Sequence, residues 1–134
     1  MDFSSRRVEI KPFAGGYSTM LNFQNLDVYR CGIEFLAFAV KIQGQLGKGD
    51  AELRDQLKRA ALSIPLNIAE ASGKVGTNDR ARFFAIARGS TMECGAILDC
   101  IEIINPCCQE EISKSRILIQ RIVEMLSKLC RSNS

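Results

Sequence analysis

The segment Gln56-Leu57-Lys58-Arg59-Ala60-Ala61-Leu62-Ser63-Ile64-Pro65-Leu66-Asn67-Ile68-Ala69-Glu70 decides the fold class. Leu57, Ala60, Ala61, Ile64 and Ile68 recur at intervals of three and four, the spacing that lines one face of an α-helix. Leu53 upstream and Ala71 downstream continue the stripe. The spacing therefore predicts a helix over about 51–72, with Asp50 as its N-cap and Gly73 as its stop signal. Pro65 lies inside this helix. A proline there removes one backbone donor and clashes one turn upstream, at Ala61, at a cost of about 3 kcal/mol. The polar residues Arg59, Ser63, Asn67 and Glu70 follow at spacings of four, four and three, on a stripe of their own.

Outward from this segment the same period repeats. A first helix is expected over about 25–46, carrying Leu26, Tyr29, Ile33, Leu36 and Val40, with Phe35 and Phe38 between them. Its apolar residues cover much of the circumference, which implies burial on more than one side, against the bundle and against another surface such as a second subunit. A third helix is expected from a cap at Thr77, Asn78 or Asp79 to Ile104, where Asn105-Pro106 closes it. Its expected inner stripe is Phe83, Ile86, Ser90, Cys94, Ile97, Ile101 and Ile104. The fourth helix, about 108–131, presents Ile112, Ser115, Leu118, Ile119, Ile122, Met125, Leu126 and Leu129. Four amphipathic helices joined by short linkers define an all-α, antiparallel up-down-up-down four-helix bundle. The domain reading is a flexible N-terminal arm over residues 1–24 and the bundle over 25–134; Pro12, Gly15 and Gly16 break any periodicity in the arm, and Met20 is an alternative initiator.

Composition narrows the chemistry. The chain of 134 residues contains no histidine, which removes the commonest general base and metal ligand. Six cysteines, at 31, 94, 100, 107, 108 and 130, form no C-x-x-C pair, and no histidine completes a mixed zinc site. No secretory signal is present at the N-terminus, so reduced thiols in a cytoplasmic protein are expected. For the adjacent Cys107 and Cys108, an incidental loop pair is favoured over a redox-active one. No apolar run reaches the ~20 residues that span a bilayer. No catalytic residue, metal or cofactor is assigned: Glu70 is a single carboxylate with no partner at metal spacing.

The net charge is +3. Basic residues outnumber acidic ones on the second to fourth helices, and Arg54, Lys58, Arg80, Arg82, Arg88, Arg116 and Arg121 are the candidate phosphate contacts. Aromatics are not interleaved with them, so RNA or DNA binding is expected to be electrostatic and weakly sequence-specific. The stripe Arg59, Ser63, Asn67 and Glu70 admits two readings, a binding pocket or a buried polar clasp that fixes helix register beside the Pro65 kink. The clasp is preferred. Glu93 is expected to join it by pairing with Arg59 or Arg82. Gly89, costing about 1 kcal/mol relative to alanine in a helix interior, is expected at a close helix crossing against Ile64 or Ile68.

The second-helix segment quoted above, together with Ala87-Arg88-Gly89-Ser90 and Glu93, and with Leu26-Asp27-Val28-Tyr29 at the entry to the first helix, resembles the 23S rRNA intervening-sequence family of four-helix-bundle proteins. The resemblance covers about residues 22–130. It departs from the family pattern after the glutamate, where Ala71 replaces the usual glycine and Gly73 follows two residues on. The resemblance implies a barrel-like homopentamer, and a relation to the nucleic-acid-binding accessory variability determinant of diversity-generating retroelements. The function expected is a non-enzymatic oligomeric module that binds RNA or DNA through its basic residues. The alternative is a protein–protein scaffold with no nucleic-acid role.

Overall fold

A computed structural model describes residues 21–132. Four helices follow one another: α1 (Asp27–Gln45), α2 (Ala51–Ser72), α3 (Thr77–Ile104) and α4 (Gln109–Ser132). Short connections force each helix to reverse on its predecessor. α1 packs on α2 and α4, and α3 packs on α2 and α4, which closes an up-down-up-down bundle. Asn105 Nδ2 donates to Asp50 Oδ2 at 2.9 Å, tying the α3–α4 connection to the α1–α2 connection at one end. Asp50 precedes α2 as expected, but its carboxylate makes no cap bond to that helix. It accepts from Gly47 N at 3.2 Å instead.

Residues 1–20 of the expected arm lie outside the described residues. Its last residues are folded: Asn22–Asn25 form a single 3-10 turn. Phe23 lies edge-on to Tyr29 of α1, ring centroids 5.0 Å apart.

The core lies on the axis of the bundle. Phe35, Ile42, Leu57, Ile64, Ile68, Leu98, Ile101, Ile112, Ile122 and Leu126 are fully enclosed. The expected face of α2 is realised from Leu57 to Ala71. Two other faces are shifted. On α1 the enclosed stripe is Val28, Cys31, Phe35, Phe38, Ala39 and Ile42; Tyr29 and Leu36 flank it and Val40 is exposed. On α3 the enclosed residues are Phe84, Ala87, Thr91, Cys94, Ile97, Leu98 and Ile101, whereas Ile86 and Ile104 are exposed. The α3 start also moves: Gly76, not a polar side chain, occupies the N-cap, and its carbonyl accepts from Arg80 N at 3.1 Å.

The close helix crossing is at Gly32, not at Gly89. A Cβ on Gly32 would meet Ile64 Cγ2 at 3.3 Å, Pro65 N at 3.8 Å and Ile68 Cδ1 at 3.9 Å. α1 thus passes α2 at the turn containing the proline. The missing side chain at 32 lets the buried Pro65 and its two isoleucine neighbours sit against the α1 backbone. A Cβ on Gly89 would touch nothing within 4 Å among the described residues. Its side of α3 faces away from the bundle, beside exposed Ala85, Ile86, Met92 and Ala96.

Candidate functional site

Antiparallel pairing of α2 and α3 brings the two sequence motifs together in an open cleft of about 430 Å³, lined by Gln56, Arg59, Ala60, Ser63, Ser90 and Glu93. Helical spacing accounts for the grouping. Gln56, Arg59, Ala60 and Ser63 occupy one side of α2, and Ser90 and Glu93 lie one turn apart on α3.

Its floor is a short hydrogen-bonded chain. Asn67 Nδ2 donates to Ser63 Oγ at 2.9 Å and to Ser63 O at 2.8 Å. Ser63 Oγ and Ser90 Oγ are 2.7 Å apart and bridge the two helices. With Asn67 donating into Ser63 Oγ, the Ser63 proton is free to reach Ser90, whose own proton then remains for the cleft. Asn67 spends its amide on the Ser63 carbonyl, not on the Ala61 carbonyl, which the ring nitrogen of Pro65 has no proton to reach.

The expected clasp is therefore smaller than the stripe that announced it. Ser63, Asn67 and Ser90 form it, half-buried. Arg59 and Glu93 stand exposed at the rim of the cleft, and no ion pair joins them within 4 Å among the described residues. Arg82 lies over the Phe83 ring, 4.9 Å from its centroid, with Lys74 5.1 Å from the same ring. Glu70 is outside the cleft, paired with Lys74 at 3.2 Å in the last turn of α2. Chemically, the cleft can hold a polar group between opposite charges. The hydrogen-bond partners of Ser63 are a hydroxyl and an amide, neither of which is a base that would activate it.

The seven candidate phosphate contacts are dispersed. Arg54 donates to the carbonyls of Leu46 (3.3 Å) and Gly47, closing the α1–α2 connection. Arg80 donates to Lys74 O and Val75 O, both at 3.1 Å, and does the same for the α2–α3 connection at the other end. Eighteen residues of α2 separate Ser72 from Arg54, about 27 Å of helix. Arg88 donates to Ser127 Oγ at 2.8 Å, and Ser127 passes the bond to Val123 O at 2.7 Å, joining α3 to α4. Arg116 reaches Asp99 at 2.8 Å and Glu102 at 3.1 Å across the same pair of helices, and the Asp99 hydrogen bond chiefly holds its charge. Lys58, Arg82 and Arg121 stay exposed on three different helices. Arg121 lies near enough to Cys31 to oppose, in part, the burial that pushes this thiol up.

Two features escaped the sequence reading. Gly32 carries no polar or periodic signal. The outward side of α3 was hidden because its isoleucines were assigned to the core. Exposed there are Ile86 (43%), Met92 (53%) and Ile103 (83%), with Gly89 and Ala96 among them.

An all-α bundle whose second and third helices meet at a serine-floored cleft is a small helical module. The profile of the 23S rRNA-intervening sequence protein family matches residues 24–128, and the chain belongs to that family. No curated protein matches it. Among the described residues, no helix is long and apolar enough to cross a membrane.

Proposed function

We propose that this protein is a non-enzymatic structural subunit that assembles with copies of itself through the outward face of α3. The observation that carries the reading is Gly89. A helix-interior glycine costs about 1 kcal/mol against alanine, yet nothing in the bundle lies within 4 Å of where a Cβ would be. Residues 85, 89, 92, 96 and 103 recur at spacings close to the helical seam of a packed helix pair. They are small or apolar: Ala85, Gly89, Met92, Ala96 and Ile103. A second copy is the occupant that fits, because small residues at 85, 89 and 96 let a like helix approach backbone to backbone. The sequence expectation of an outward-facing α1 is not what supports assembly, since Val40 is the one large apolar residue of α1 that is exposed. A pentamer is the subunit number the family resemblance favours, and a cytoplasmic location suits six free thiols.

Sedimentation equilibrium of the wild type and of Met92→Glu tests this reading. Wild type should associate at micromolar concentration, and the variant should run as a folded monomer by circular dichroism. A wild type that stays monomeric throughout the accessible range refutes it.

Nucleic-acid binding is the second reading, favoured by Lys58, Arg82 and Arg121, which are exposed and carry no acidic partner within 4 Å among the described residues. Repetition of three such cations around an assembly multiplies their field. Binding to structured RNA and duplex DNA should weaken steeply with salt. No affinity at low ionic strength rejects this part.

A further inference from the structure

The α3–α4 connection brings two thiols together. Cys107 and Cys108 are adjacent in sequence, and their Sγ atoms are 2.8 Å apart. Cys108 is the one non-glycine residue among those described with positive φ, at 62°. An L residue takes this left-handed backbone at a steric cost, so the surroundings must hold it there. Three contacts do so. Cys107 N donates to Asn105 O at 2.6 Å, the Cys108 carbonyl accepts from Ile112 N at 2.9 Å in the first turn of α4, and Cys108 Sγ lies 3.1 Å from Gln45 Oε1 of α1. Asn105 is anchored in turn to Asp50. Neighbouring side chains on an extended backbone point to opposite sides; here the turn directs both sulfurs to the same place.

We infer that Cys107 and Cys108 form a reversible modification site, a vicinal dithiol that closes to a cyclic disulfide by exchange with a low-molecular-weight disulfide. Cys107 is half-buried and the more exposed of the two, so it is the one a small reagent meets first, whereas Cys108 is buried at 9% exposure. The Cys107 thiolate attacks the reagent disulfide; its sulfur forms a mixed disulfide, and one reagent thiolate leaves. Cys108 then loses its proton, attacks Cys107 Sγ, forms the intramolecular bond and expels the second reagent thiolate. In sum, the protein dithiol is oxidised by two electrons and gives up two protons, and one reagent disulfide becomes two thiols. Burial, and then the hydrogen bond to Cys107, push the Cys108 thiol up to about 12, which disfavours it in the first attack; its place 2.8 Å from Cys107 Sγ is what favours the intramolecular step. Closure removes the Cys108 thiol proton, for which Cys107 Sγ and Gln45 Oε1 are alternative acceptors, and locks the residue from which α4 starts. The inference does not depend on self-assembly or on nucleic acid.

The test uses the reduced full chain incubated with oxidised glutathione, quenched in acid, alkylated at the remaining thiols and mapped by fragmentation mass spectrometry. The exposed Cys100, on the outward side of α3, is an internal reporter of reagent access when the chain is diluted below its association range. The expected product lacks two hydrogens within residues 107–108, while Cys100 carries a glutathione adduct. In Cys108→Ser, Cys107 should instead retain glutathione as a persistent adduct. The inference is overturned if the wild-type pair remains fully alkylatable while Cys100 is modified. It is equally overturned if Cys107 accumulates glutathione in the wild type without closure, or links to a second chain.

Discussion

Two glycines placed alike in the sequence, each inside a helix, should respond oppositely to alanine. At Gly89 an added Cβ meets no atom within 4 Å among the described residues. The substitution therefore gains helix propensity, about 0.8–1.0 kcal/mol, without a packing loss inside the subunit. For a helical domain of this size, that gain raises the melting temperature by roughly 3–6 °C. At Gly32 the same propensity gain is opposed. The new methyl group would stand 3.3 Å from Ile64 Cγ2, with Pro65 N and Ile68 Cδ1 close behind. Ile64 and Ile68 are fully enclosed, so the strain is not relieved by a side chain swinging into water. Overpacking of a tight core costs about 1–3 kcal/mol, which leaves Gly32→Ala between neutral and about 2 kcal/mol destabilised.

The assay is equilibrium denaturation of both variants and the wild type, followed by circular dichroism at several protein concentrations. Concentration matters because the two roles of Gly89 separate there. In a dilute, monomeric sample Gly89→Ala should be the more stable protein. If the α3 face packs on a second copy, the same methyl group should weaken association, and the advantage over wild type should shrink as concentration rises. The ordering decides the question. If Gly32→Ala stabilises as much as Gly89→Ala, α1 does not cross α2 at the proline turn, and the account of Pro65 fails with it.

The serine bridge should show as coupling: Ser63→Ala and Ser90→Ala are each expected to cost about 0.5–1.5 kcal/mol, and the double variant less than their sum, measured by a double-mutant cycle in urea. Arg54→Met should cost about 1–2 kcal/mol through the two loop carbonyls it closes, whereas Lys58→Met, on an exposed side chain, should stay within about 0.5 kcal/mol of wild type. A salt-dependent loss of nucleic-acid binding in Lys58→Met with unchanged melting would then report on contact and not on folding. The third concerns alkaline pH. Burial raises the Cys94 thiol from its ordinary 9.0 to about 12, so below pH 9 both folded and unfolded chains keep the proton and its contribution is complete. Between pH 9 and 12 the unfolded chain releases the proton while the folded one retains it, and stability falls by at most about 1.4 kcal/mol per pH unit from this group. Cys94→Ala should flatten that part of the curve relative to wild type; an unchanged slope would show that the thiol does not hold its proton in the fold.

Helix number, order and approximate ends were legible because each helix is long relative to its linker and because turn residues interrupt the period. Rotational phase was legible only where one face is plainly apolar. α2 and α4 carry charge on their outer sides, so their cores could be read. On α3, apolar residues lie all around: Phe83 beside Phe84, Ile86 beside Ala87, Met92 beside Cys94, and Ile103 and Ile104 beside Ile101. Periodicity alone cannot rank two such faces. Ile86 and Ile104 fit a helical spacing as well as Phe84 and Leu98 do, and only packing against α2 and α4 encloses the second pair. The polar site was half legible. Ser63, Asn67 and Ser90 were visible as oddities in helix interiors, but their bonding order depends on how α2 and α3 are registered. Charge gave least. Arg54, Arg80, Arg88 and Arg116 are surface cations in the sequence and internal ties in the fold, because a long guanidinium can turn back onto a loop carbonyl or a neighbouring helix as easily as toward a phosphate.

The segment Ala87-Arg88-Gly89-Ser90-Thr91-Met92-Glu93 is best understood by direction. Ala87 and Thr91 point to the core, where the Thr91 hydroxyl donates to Ala87 O at 2.8 Å and so needs no outside partner. Arg88 turns to α4 through Ser127, and Ser90 turns to α2 through Ser63. These contacts consume three sides of one helical turn and fix α3 in rotation against both neighbours. Gly89 and Met92 are then held on the fourth side, outside the bundle. Packing within the subunit accounts for Ala87, Arg88, Ser90 and Thr91, but it gives no reason for a glycine at 89 when alanine would make the helix more stable. That leftover cost is the physical argument for a contact beyond the single chain.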